Sequence, residues 1–152
     1  MNLDLVRSIA AHSNRWRSLF SRSKASSPHL ERGARGEKIA ARFLRRNGYK
    51  ILYRNFRARG GGEIDIVCRD GDTLVFVEVK TRSRDDFGRP IEAIDSQKQM
   101  RISRGGLAWL RSLDNPDILF RFDVVEVITP AEGGSRCEII QNAFELSEPY
   151  IY

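Results

Sequence analysis

An α/β domain with a mixed sheet and helices on its faces is the fold class this sequence predicts. Three observations carry it. Two segments, Glu31–Asn47 and Ser96–Ser112, place apolar residues at helical intervals; three strand-like segments lie between them; one or two more strands follow the second helix. In the first helix Ala34, Ile39, Ala40, Phe43 and Leu44 form the apolar stripe, basic residues fill much of the rest, and Gly48 supplies the stop. Glu37 falls at the edge of that stripe. Tyr49–Arg57 reads as the first strand, with Ile51, Tyr53, Asn55 and Arg57 on one face. Gly60-Gly61-Gly62 then allows either close backbone approach or a flexible connection.

The next two strands flank Asp70-Gly71, a hairpin turn signal. Centred there, the turn pairs Arg69 with Asp72, Asp65 with Phe76 and Glu63 with Glu78. Glu63, Asp65, Val67, Leu74, Phe76, Glu78 and Lys80 then share one face, and Ile64, Ile66, Cys68, Val75, Val77 and Val79 the other. Thr81–Pro90 is polar and basic, a loop over the charged end. Ser96 caps the second helix, with Ile102, Leu107, Ala108 and Leu110 inward. Leu119–Ile128 alternates Phe120, Phe122 and Val124 against Asp123 and Val125, and Glu138–Phe144 closes the sheet.

Residues 1–30 read as a basic, partly disordered extension, and 31–152 as the folded domain. One domain of this size buries a sufficient core without disulfides, and Cys68 and Cys137 are too few for a disulfide framework. Cys68 is expected to be a small core residue. A reducing, cytoplasmic setting and no membrane span fit the composition. The only histidines, His12 and His29, lie in the extension. Serine–histidine triads and most zinc sites are therefore unsuited to the domain, which leaves carboxylates, lysine and a hard metal. Charge is lopsided: residues 1–60 hold 15 Lys and Arg against 3 Asp and Glu, and the remainder 11 against 17. A basic half beside an acid-bearing half suits a protein that neutralises phosphates and holds a metal.

The chemistry concentrates in Glu63-Ile64-Asp65 and Glu78-Val79-Lys80, charges set in otherwise buried strand sequence, where unpartnered ions are costly. On the hairpin Asp65 lies diagonal to Glu78, roughly 7–8 Å away. Both side chains reach one hard cation. Lys80, two residues from Glu78, is placed to act on a water at that cation. The plainer alternative is a Glu78–Lys80 ion pair at a strand end, with Glu63 and Asp65 in a solvated loop. Arg57, Arg59, Arg82 and Lys98 are the candidate phosphate contacts.

Gly36-Glu37, Gly62-Glu63-Ile64-Asp65, Phe76-Val77-Glu78-Val79-Lys80, Phe87-Gly88-Arg89-Pro90 and Gln97-Lys98 together resemble the bacterial YraN family. That family is similar to the restriction-endonuclease-like superfamily and, more distantly, to archaeal Holliday-junction resolvases. The resemblance runs from about Glu31 to the C-terminus. It implies a restriction-endonuclease-like mixed sheet flanked by helices and a Mg²⁺-dependent endonuclease, with Mn²⁺ an alternative ion, acting on structured or branched DNA rather than RNA. Asp65 and Glu78 match the metal-binding acids, Lys80 the catalytic lysine and Glu37 the helix acid of the resolvase-like branch. Ile64 stands where the superfamily carries a proline. A resolvase-like activity would also imply a homodimer. A non-catalytic nucleic-acid-binding module with the same fold is the rival reading.

Overall fold

The computed structural model describes residues 28–83, 94–130 and 132–146, with side chains from residue 31 onward. The expectations for the N-terminal extension up to residue 27, and for Phe87-Gly88-Arg89-Pro90, lie outside the described residues. Helix α1 spans Pro28–Arg46, and strands β1 (Lys50–Arg57), β2 (Glu63–Asp70) and β3 (Thr73–Arg82) follow. Helix α2 (Ser96–Ser112), strand β4 (Phe120–Ile128) and strand β5 (Arg136–Phe144) complete the order. The five strands make one open sheet in sequence order. All neighbours are antiparallel except β3 and β4, which run parallel. A parallel pair requires a long crossover, and α2 lies in it. The expected mixed sheet with flanking helices is thus present, an architecture compatible with the restriction-endonuclease-like arrangement. Among the described residues, no helix is long and apolar enough to cross a membrane.

Local chemistry sets the element ends. α1 starts one turn before the expected Glu31, at Pro28, where the missing N–H is no loss because first-turn amides have no helical partner. It ends at Gly48, whose φ of 88° suits glycine. The Tyr49 N–H then returns to the Leu44 carbonyl at 3.0 Å. Ala34 is exposed; Ala40, Ala41 and Leu44 are the buried stripe. Asp95, rather than Ser96, caps α2, accepting from the Lys98 amide at 2.8 Å.

Two hydrophobic layers enclose the sheet. Against α1 lie Ile66, Cys68, Val75, Val77, Val125 and Val127 with Ala40, Ala41 and Leu44. Against α2 lie Phe56, Ile64, Val67, Phe76, Phe122 and Val124 with Ile102, Trp109 and Leu110. Cys68 is fully buried, as expected of a core residue, and that burial pushes its thiol pKa up to about 12. Asp123 is also fully buried. It accepts from Arg121 Nε at 2.9 Å and from the Asn142 amide at 2.9 Å, so its charge is structural.

Three expectations of register and face need correction. The hairpin turns at Gly71-Asp72, closed by Asp70 opposite Thr73, so Val67 rather than Asp65 faces Phe76. The shift is by two residues and preserves the faces of most side chains. β1 does not alternate regularly. Its register slips between Ile51 and Tyr53, and Asn55 adopts φ 56°, a left-handed conformation that asparagine tolerates. Ile51 consequently packs on the α1 layer and Tyr53 on the α2 layer. Ile64, expected beside Ile66, packs with Phe56 on the α2 layer instead.

Candidate active site

The acids converge where β2 and β3 part. Their ladder pairing runs from Asp70–Thr73 as far as Ile66–Val77. Beyond it the Val79 amide donates not to a β2 carbonyl but to Asp65 Oδ2, at 2.9 Å. A side chain has taken the ladder position, which brings the Asp65 carboxylate to the backbone next to Glu78. Glu78 is buried at 7% exposure, on the face that carries Phe76 and Val124. Its Oε1 lies 3.1 Å from Lys98 Nζ, while its Oε2 is buried with no hydrogen-bond partner among the described residues. Burial first, then the negative charge of Asp65, drive the Glu78 pKa up to about 8, against the pull of Lys98.

Lys98 reaches the site because α2 crosses the start of β2 at almost backbone contact. A Cβ on Gly62 would collide with the Gly105 amide nitrogen and stand 2.7 Å from the Arg104 carbonyl carbon. One on Gly105 would lie 3.0 Å from the Glu63 backbone. Only two facing glycines permit this crossing. The Gly60–Gly62 turn holds its side of it through the Ala58 amide, which donates to the Gly62 carbonyl at 2.8 Å. Lys98 Nζ also bonds Glu63 Oε1 at 2.7 Å, with Arg101 Nη1 at 3.8 Å from the same oxygen. The hydrogen bond from Lys98 holds the Glu63 carboxyl below its ordinary pKa. Burial alone would lower Lys98, but Glu78, Glu63 and Asp65 more than offset it and the ammonium is stabilised.

Glu37 approaches from the opposite layer. Arg54 Nη2 lies 3.6 Å from its Oε2, and its pKa is raised, chiefly by burial and also by the charge of Asp65, against a hydrogen bond from Asn55. Asp65 is therefore electrostatically linked to Glu37 on one side of the sheet and Glu78 on the other. Lys80 is half-buried, two residues beyond Glu78 on β3 and opposite Glu126 on β4. Among the described residues its side chain makes no ion pair. Arg57 and Arg59 are exposed, as phosphate contacts must be. Arg82 and Lys98 are half-buried and already paired. Arg82 Nε is 3.0 Å from the buried Glu126, and Lys98 is engaged by Glu63 and Glu78.

The donor set is small. No group of three or more His, Cys, Asp or Glu side chains able to hold a metal occurs among the described residues. Magnesium, however, is commonly bound by one or two carboxylates with substrate phosphate completing its shell. Asp65, part-buried, and the buried Oε2 of Glu78, which has no hydrogen-bond partner among the described residues, fit that need: both are hard oxygen donors, and Lys98 offsets only part of their mutual repulsion.

Sequence reasoning missed the part played by Lys98 and the Gly62–Gly105 crossing. The signal was present in Gly105-Gly106, two glycines inside a helix, each costing about 1 kcal/mol relative to alanine unless close packing requires it.

A pH dependence follows from Glu78. In the unfolded chain its carboxyl releases its proton near 4.5; in the folded domain it holds it until about 8. The folded state binds the extra proton over that window, so stability falls as pH rises through it. Glu78→Gln removes the penalty. Metal-free thermal melts of the parent are expected to drop by several degrees from pH 5 to pH 8.5, and those of the variant to drop less. Parallel profiles would refute the assignment.

A family model described as "Uncharacterised protein family UPF0102" matches residues 36–127, which include every candidate acid, Lys80 and Lys98. The chain is similar to a UPF0102 protein of Geobacter sulfurreducens, 50% identical over 115 residues that cover 76% of this chain and 89% of the relative. A UPF0102 protein of Geobacter metallireducens is 51% identical over 115 residues, covering 76% and 93%. One from Symbiobacterium thermophilum is 48% identical over 112 residues, covering 74% and 94%.

Proposed function

This chain belongs to the uncharacterised protein family UPF0102, and we propose that it is a divalent-metal-dependent endonuclease that hydrolyses phosphodiester bonds in structured or branched DNA. The observation that carries this reading is the buried Glu78 carboxyl group, one oxygen without a hydrogen-bond partner among the described residues, beside Asp65 at the point where β2 and β3 separate. Asp65 and Glu78 would hold Mg²⁺ or Mn²⁺. The bound ion would acidify a water and neutralise charge at the scissile phosphate. Lys80 Nζ orients the attacking water and offsets the negative charge that grows on the phosphoryl oxygens. Glu37, whose own carboxyl feels the charge of Asp65, would assist at the ion directly or through a water. Exposed Arg57 and Arg59 lie on the approach to β2 and fix the strand by its phosphates. A cut placed symmetrically in two strands requires two such sites, hence a homodimer.

The second reading is a nucleic-acid-binding module that does not cut. The observation in its favour is Lys98, whose ammonium already engages Glu78 and Glu63 and so partly neutralises the site from within.

Cleavage of labelled four-way junction, flap, single-stranded and duplex DNA, with Mg²⁺ or Mn²⁺, separates the two. Metal-dependent cutting by the parent that Lys80→Ala loses supports the endonuclease. Binding without cutting by both proteins, on every substrate and with either metal, favours the binding module.

A further inference from the structure

A cavity of about 410 Å³ opens between the turn that precedes β2 and the second half of α2. Its rim is basic, with Arg59 on the turn and Arg104 and Arg111 on the helix; its wall is apolar, with Ala58, Leu107 and Ala108. All three arginines are exposed. Arg104 and Arg111 are seven residues apart and stand nearly one above the other on the helix. The cavity and the candidate active site lie on either side of the Gly62–Gly105 crossing. Gly62 lines the cavity and Glu63 is the next residue, while Lys98, Arg101 and Arg104 step along α2 at three-residue intervals from the acids to its rim. Helical rise puts Arg104 about 9 Å and Arg111 about 20 Å beyond Lys98, the length of a few nucleotides. The glycine crossing that seats α2 on β2 also fixes the cavity's two walls relative to the acids.

We propose that this cavity receives an unpaired nucleotide of the strand whose backbone passes the acids, its phosphate on the arginines and its base against the apolar wall. The proposal deepens the endonuclease reading and rests on it for the role of the acids. It narrows the substrate to nucleic acid with a single-stranded segment next to the cut. A concave site of this volume falls in the range that encloses a small ligand. A paired base has no face to offer such a wall, because stacking and pairing occupy it, whereas an unpaired base does. The three cations supply the phosphate attraction.

Fluorescence anisotropy of the full chain tests this in EDTA, where no strand is cut. The probes are a short oligothymidylate, an oligouridylate of the same length and a blunt duplex. A single strand is expected to bind more tightly than the duplex, and binding of only one of the two strands supports the cavity while fixing the sugar it accepts. The double variant Arg104→Gln/Arg111→Gln is expected to lose about tenfold in single-strand affinity, with the salt slope falling by about 0.7 per arginine removed. Ala108→Glu, which places a negative charge at the apolar wall, is expected to weaken single strands more than duplex. Arg45→Gln/Arg46→Gln, exposed at the end of α1, serves as the charge-matched control. Equal affinity for duplex, or equal losses from the control pair, overturns the proposal. Strand preference without metal-dependent cleavage keeps the cavity and removes the nuclease; cleavage without strand preference does the reverse.

Discussion

Asp65→Asn is expected to abolish metal-dependent cleavage, by about 10³-fold or more, while the domain stays folded. The separation of the two effects comes from the two jobs the side chain does. Asparagine keeps an oxygen that can accept the Val79 amide, now at 2.9 Å from Oδ2, so the parting of β2 and β3 is preserved. What it loses is the negative charge, and with it a hard anionic donor for a cation. Loss of one well-placed electrostatic group alone costs about 10²–10³ in rate, and failure to retain the ion adds to that. Melting temperature in EDTA and cleavage in Mg²⁺ are the two readouts. A variant that melts like the parent and still cuts at a comparable rate removes Asp65 from the site.

The largest effect on stability is expected from Gly62→Ala. The added Cβ meets backbone atoms of Arg104 and Gly105 rather than a side chain that can swing aside. Relief requires α2 to lift from the sheet and loosen Ile64, Ile102 and Leu110 beneath it. Overpacking of this kind costs about 3 kcal/mol, and for a domain of this size that corresponds to a melting temperature lower by about 10 °C. Gly61→Ala is the contrasting case. No neighbouring atom stands within 4 Å of its Cβ position, so only the positive φ of 83° opposes the change. Equal losses from the two substitutions would show that the crossing is looser than the structure has it.

The order of elements, and the setting of Glu78 within a buried strand, were legible because each rests on local pattern. Leu74 through Val77 are buried on both faces, as a run of apolar β-formers predicts for a central strand, and Glu78 stands out against that run. The register was not legible. Asp70-Gly71 and Gly71-Asp72 are both acceptable turns, and only the assembled sheet, with Val67 opposite Phe76, selects between them. Asn55 reads as an ordinary strand residue until its φ of 56° sends Phe56 to the α2 side. Lys98 could be placed on a helix from sequence but not beside Glu78, because that contact depends on a tertiary crossing. The same reason hid the engagement of Arg82 by Glu126, a contact between strands far apart in the chain.

The parallel pairing of β3 with β4 bears on when the site comes into being. Strands β1, β2 and β3 join through short turns and can pair at small loop-closure cost, whereas β4 must return across residues 83–119 before its first ladder bond forms. This topology predicts folding from meander to crossover. Asp65 and Glu78 are then expected to meet early, while water still surrounds them, with Lys98 arriving when α2 docks through Gly105. Pulse-labelled hydrogen exchange is expected to protect amides of β1–β3 before those of α2, and simultaneous protection would contradict that order. On the proposed reading, a cation bound during this interval would meet both acids before any ammonium competes for them, so metal present while the chain folds is expected to load the site more readily than metal added afterwards.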